Sequence, residues 1–190
     1  MASLTQVLQA SVDFLRGRLP GLGSCDIYAG QLTGGETTVQ VPISTPAVLT
    51  AFIGATREGA VETGEVDWLC RLAAYCITRH AAGRADRAVT ALELAEQVLG
   101  HIDGRRFGLT GVRPARVTRV ENLYSRAFDT AMVAVEAVTW EQTVRVGTDE
   151  WTAEGVRPES LYLGFAPEIG AGHEDDYIPV CRPPEPEEDP

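Results

Sequence analysis

The sequence predicts an α/β (α+β) fold, a mostly antiparallel sheet with two helices packed on it, followed by an irregular C-terminal arm. Three observations carry this. Along Val66, Trp68, Cys70, Leu72, Ala74 and Cys76 every second residue is apolar, while the opposite register is mixed. That is the period-2 mark of a strand with one face on a core. After the turn-like His80-Ala81-Ala82-Gly83 the period changes, and Ala85, Ala88, Val89, Leu92, Ala95, Leu99 and Ile102 recur at helical spacing. Finally, the polar stretch TREGAVETGE, Thr56 to Glu65, links two strand candidates and predicts the tip of a long hairpin.

The remaining elements follow in order. Leu4, Leu8, Ser11, Val12, Leu15 and Leu19 form a helical stripe, opened by a capping box at Ser3 and Gln6 and closed by Pro20-Gly21. Alternation at Cys25, Ile27 and Ala29 predicts a short strand. Gly30 to Glu36 is turn material, and the β-branched run Thr37–Val41 is a weaker strand. Ala47–Ala55 is apolar on both faces, as an interior strand is. Beyond the second helix, Asp103–Pro114 reads as a linker, then Ala115–Arg126 and Asp129–Val146 as strands with a turn around Ala127-Phe128-Asp129. The parity of the last strand changes near Ala137-Val138, which predicts a bulge. Leu92, Leu99, Trp68, Leu72 and Trp140 are the expected deep core.

From Gly147 the apolar residues lose all period. The predicted organisation is an α/β domain over 1–147, an extended arm over 148–181 and a disordered acidic, Pro-rich tail over 182–190.

Composition narrows the function. The chain has 190 residues and a net charge of −11. The charge is uneven: residues 1–140 hold 14 acids and 13 Arg, residues 141–190 hold 13 acids and 3 Arg. An acidic C-terminal surface repels anionic membranes and DNA and favours basic protein partners. All sixteen basic residues are Arg, which reads as codon bias in a GC-rich genome and not as nucleic-acid binding. No apolar run is long enough to span a membrane, and the first residues lack the layout of a secretory signal. Cys25, Cys70, Cys76 and Cys181 contain no C-x-x-C pair and read as buried free thiols. There is no G-x-S-x-G, H-E-x-x-H, P-loop or G-x-G-x-x-G, so no cofactor is implied.

The features that could carry function are surfaces. Arg105, Arg106, Arg113 and Arg116, with Arg119, make a basic stretch suited to a phosphate or an acidic partner, or simply a solvated edge. Trp151, Tyr162, Phe165 and Tyr177 are aromatics by which an arm could anchor on a surface. His173, Glu174, Asp175 and Asp176 make an acidic turn; consecutive ligands point apart, so an Arg-binding patch or a solvated loop outranks a metal site. Arg57, Glu58, Glu62 and Glu65 belong to the projecting hairpin tip.

One resemblance organises these features. It is carried by the opening helix to Leu19-Pro20-Gly21-Leu22, by Pro46-Ala47-Val48-Leu49-Thr50-Ala51-Phe52, and by the strand and helix of 66–102. It continues through Val138-Thr139-Trp140-Glu141 and Ala166-Pro167-Glu168-Ile169-Gly170, with the acidic turn and Tyr177. In these the chain resembles the tail terminator proteins of tailed phages, in particular the Mu-like tail protein family of prophages and tailocins. The resemblance implies a virion structural protein without catalytic residues, a homo-oligomeric ring, expected to be hexameric, at the head-proximal end of the tail. It would be assembled in the host cytoplasm and would meet the tail tube protein, a sheath where there is one, and the head–tail connector. Sequence-specific nucleic acid and membrane are not among the implied partners. The second class the sequence leaves open is a small α/β enzyme or ligand-binding protein using His173–Asp176 or Arg105–Arg119.

Overall fold

The computed structural model describes residues 2–30, 32–34, 39–40, 44–79, 83–149 and 161–181. The chain divides into two units, Met1–Asp149 and Glu150–Pro190.

In the first unit, helix α1 (Leu4–Arg18) starts at the capping box read from the sequence: Ser3 Oγ accepts from the Gln6 amide at 3.1 Å, and Gln6 Oε1 accepts from the Ser3 amide at 2.8 Å. Its buried face is Val7, Ser11, Val12 and Leu15. Strand β1 (Ser24–Ile27) follows, then a small antiparallel pair, β2 (Thr33–Gly34) and β3 (Val39–Gln40). Strands β4 (Ala47–Ala60) and β5 (Val66–Arg79) form the long hairpin. Its tip is shorter than the sequence predicts: pairing runs to Ala60↔Val66, and the Val61 amide donates to the Glu65 carbonyl at 2.8 Å. Helix α2 (Arg84–Ile102), strand β6 (Arg116–Asn122), helix α3 (Arg126–Thr130) and strand β7 (Val133–Val146) complete the unit.

The sheet order is β1-β4-β5-β7-β6. Only the β1–β4 pairing is parallel; β4–β5, β5–β7 and β6–β7 are antiparallel. The main core gathers the buried faces of α1 and α2 with one face of the sheet, around Leu15, Val48, Leu72, Cys76, Val98, Ile102 and Trp140. A second cluster, Ala47, Leu49, Ile77, Val133 and Val135, has Tyr28, Leu32, Leu123 and Phe128 packed on it.

Four expectations need correction. First, β7 carries no bulge: its register with β5 is unbroken from Arg79↔Val133 to Val66↔Val146. The apparent parity change arises because two cores use two faces of one strand. Val133 and Val135 face the second cluster, and Val138, Trp140 and Val144 face the main one. Irregularities occur instead in β4, at Phe52/Gly54 and Arg57/Gly59, and in β6, at Val117/Arg119. Second, the turn expected at 127–129 is helix α3, and β6 ends at Asn122. Ser125 caps α3 by accepting from the Phe128 amide at 3.1 Å.

Third, α2 is rotated relative to the predicted stripe. Its buried residues are Arg87, Ala91, Leu94, Ala95, Val98 and Ile102. Leu92 and Leu99 are 45% and 37% exposed, while Leu72 and Trp140 are fully buried and Trp68 is half-buried. The alanines Ala91 and Ala95 let the helix come close to a sheet whose bulk is supplied by Leu72 and Trp140. Fourth, the arm is not wholly irregular. The second unit contains an antiparallel pair, β8 (Leu161–Leu163) and β9 (Ile178–Cys181). The expectations for His80, Trp151 and the tail over 182–190 lie outside the described residues.

Cys25, Cys70 and Cys76 are free and buried. Burial pushes the Cys70 thiol up to about 11 and raises Cys25 and Cys76 as well. These thiols stay protonated near neutrality and behave as small apolar side chains.

Candidate functional site

The segment from Asp103 to Ala115 has no regular structure, yet its backbone is held at many points. The amide of Gly104 donates to the Ala115 carbonyl at 2.8 Å, and the amide of Ala115 donates back to the Arg105 carbonyl at 2.7 Å. The Arg113 amide donates to Thr143 of β7 at 2.9 Å, and the Arg145 amide donates to Gly111 at 2.8 Å. Asp103 Oδ1 accepts from the Val117 amide at 3.0 Å. At the centre, the buried Gln142 side chain donates from Nε2 to the carbonyls of Arg105 at 3.1 Å and Arg113 at 2.8 Å. One amide therefore ties the two limbs of the loop together.

This loop brings together the basic residues that sequence reading singled out. Arg105, Arg106, Arg113 and Arg116 are all exposed. Arg113 reaches Asp67 at 3.7 Å. Asp67 is already bound by two arms of Arg145, at 2.8 and 3.0 Å. These hydrogen bonds hold its carboxyl below its ordinary value of 3.8, against the opposing effect of burial. Phe107 and Leu109, between the arginines, pack against the core and fix the loop from beneath.

The four residues expected to project are held in different ways. Glu58 lies at an irregularity of β4 and accepts from Thr143 Oγ1 at 2.8 Å, so it is tied back to the sheet. Arg57 pairs in register with Trp68. Only Glu62 and Glu65 of the four lie in the turn itself, where Glu65 accepts from Thr63 Oγ1 at 2.9 Å.

In the second unit, the acidic turn is a single 3-10 turn, Glu174–Asp176, preceded by His173. His173 Nδ1 lies 3.2 Å from Asp176 Oδ2. Tyr177 stitches the turn: its hydroxyl accepts from the Gly170 amide at 2.7 Å. Its ring lies so close to Gly164 that a Cβ there would collide with it. No group of three metal-ligating side chains occurs among the described residues. Among its described residues this unit leaves Leu161, Tyr162, Leu163, Phe165, Ile169, Ile178 and Val180 exposed. Residues 161–181 hold four acids and no Arg or Lys.

Sequence reading missed one surface. Val89, Leu92 and Leu99 form an exposed apolar stripe on α2, at 56%, 45% and 37%. The signal was present as the helical period, but it was assigned to the core. No helix among the described residues is long and apolar enough to cross a membrane.

The family model described as Bacteriophage Mu, Gp37 matches residues 1–144. Among solved structures, the chain is similar to a chain of the virion of native gene transfer agent (GTA) particle. The TM-score is 0.49 and the identity 16%, over 77% of this chain and 100% of that one. A comparison with curated proteins found no match.

Proposed function

We propose, because this chain belongs to the Bacteriophage Mu Gp37 family, that it is the tail terminator of a phage or phage-derived particle. Membership makes it a phage structural protein. The finer reading is a closed homo-oligomeric ring, of six copies, that ends the tail tube and joins it to the head connector. The family match over residues 1–144 is the observation that carries it. The surfaces are compatible with it. A ring needs two different faces that meet head to tail around an axis. This chain has a basic loop held by backbone bonds, a helix with an apolar outer stripe, and a hairpin unit with seven exposed large apolar side chains among its described residues. Contiguous exposed apolar surface marks interaction sites.

In this reading the arginine and acidic surfaces serve assembly and no residue is assigned to catalysis. Native mass spectrometry of the purified chain, with labelling of the protein in intact particles, tests it. The expected result is a discrete ring and a label at the head-proximal end of the tail. A strictly monomeric chain that is absent from the particle would overturn it.

A further inference from the structure

We propose that the hairpin unit of one copy is an exchange arm, seated by its acidic turn on the basic loop 103–116 of a second copy. The inference rests on the ring reading above and names the contact that would close the ring.

The hairpin is the part that needs a partner. A two-stranded antiparallel pair is marginal in water on its own. This pair is three and four residues long, and its large apolar side chains are exposed: Leu161 55%, Tyr162 47%, Ile178 56%, Val180 58%. What it does hold firmly is the shape of its turn, through Tyr177, Gly170 and the close approach at Gly164. The turn is thus pre-formed, and it presents Glu174, Asp175 and Asp176 as exposed side chains.

The basic loop has the matching properties. Gln142 and the backbone bonds fix its path, so little order is lost when something binds. Three of its arginine side chains take no part in holding it: the loop is bound through carbonyls and amides and by the packing of Phe107 and Leu109, and Arg105, Arg106 and Arg116 are exposed. Beside it, β6 is the last strand of the sheet, and its Val120 is 38% exposed. The surface therefore offers charge opposite to the hairpin's together with apolar area. Opposite potentials choose partner and register, while apolar contact supplies holding strength. The occupant is a second copy of this chain because the acidic, apolar element that fits is carried by every copy.

The test uses two full-length variants. One has an acidic loop, Arg105→Glu with Arg106→Glu; the other has a basic turn, Glu174→Arg with Asp175→Arg. All four positions are exposed, and circular dichroism verifies that each variant keeps the wild-type fold. Each alone places like charges in every contact, so assembly weakens by roughly tenfold or more. An equal mixture restores it, because alternating copies put each acidic turn on a basic loop and each basic turn on an acidic loop. Restoration by mixing requires a contact between copies. If either variant assembles as the wild type does, or the folded mixture fails to recover, the inference is overturned while the ring stands. If the wild type never assembles, the ring reading falls and the inference with it. A second measurement needs no variant: wild-type assembly weakens as salt approaches about 1 M, where the Debye length is ~3 Å. Assembly indifferent to that change overturns the proposed contact.

Discussion

Arg87 and Asp129 meet at 3.2 Å where the second helix begins, Nη2 of the arginine donating to Oδ1 of the carboxylate. Arg87 is 8% exposed and sits in the first turn of α2. A cation there opposes the helix dipole and is offset by the carboxylate supplied from α3. Asp129 also accepts from Arg84 at 2.7 Å, and Arg84 lies over the ring of Tyr124. Asp129→Ala takes a carboxylate from a buried guanidinium, and we expect a loss of about 1–3 kcal/mol. Chemical denaturation of the variant measures this; an unchanged midpoint would show that the pair is not structural.

The rotation of α2 separates two substitutions that periodicity alone would equate. Val98→Asp places a charge in a site with no exposure and should cost roughly 4 kcal/mol or more, unfolding the first unit. Leu92→Asp, at a position 45% exposed, should change stability by less than about 1 kcal/mol and weaken assembly instead. Thermal melts and size-exclusion chromatography on both variants decide it. A Leu92→Asp chain that unfolds would return this leucine to the core.

Asp67 gives the first unit an acid-sensitive joint. Its carboxyl is held below 3.8, mainly by the hydrogen bonds from Arg145. A depressed folded-state value means the stabilisation is complete above 3.8 and is lost as pH falls through the folded value. The gap in melting temperature between wild type and Asp67→Asn should therefore be widest near neutrality and close as pH falls below 3.8. A gap that stays constant with pH would mean that ionisation of Asp67 is not its source.

Gln142 predicts a local effect. Gln142→Ala removes both bonds to the loop carbonyls, leaving the Arg105 carbonyl with the Ala115 amide alone and taking from the Arg113 carbonyl its side-chain donor. We expect about 1–3 kcal/mol of destabilisation, with faster hydrogen exchange at Ala115 and Arg113 than in α1. Uniform acceleration across the whole unit would point to global loss instead.

Much of this was legible in the residues. The capping box at Ser3 and Gln6, the strand at 66–79 and the hairpin before it follow from side-chain chemistry and period, and the structure has them. The phase of α2 was not legible. The helix carries two overlapping apolar stripes, and the choice between them depends on the bulk of Leu72 and Trp140 across the interface. The false bulge at Ala137-Val138 has a similar origin, since a strand between two cores shows two parities without any slip. Helix α3 is only five residues long, below the length at which periodicity speaks. Its one clear sign was Ser125, three residues before Phe128. Among the candidate site residues, the arginines of 105–116 were found by composition. The glutamine that organises them was invisible, because its two partners lie 37 and 29 residues away.

That glutamine grips main-chain oxygens and makes no use of the side chains at 105 and 106. Shape and identity are thereby carried by different atoms. The residues at 105 and 106 can be rewritten one at a time while the loop keeps its course. With the contact proposed above, two lineages sharing this fold could diverge in recognition, each excluding the other's subunits from its own particle, at little cost to folding.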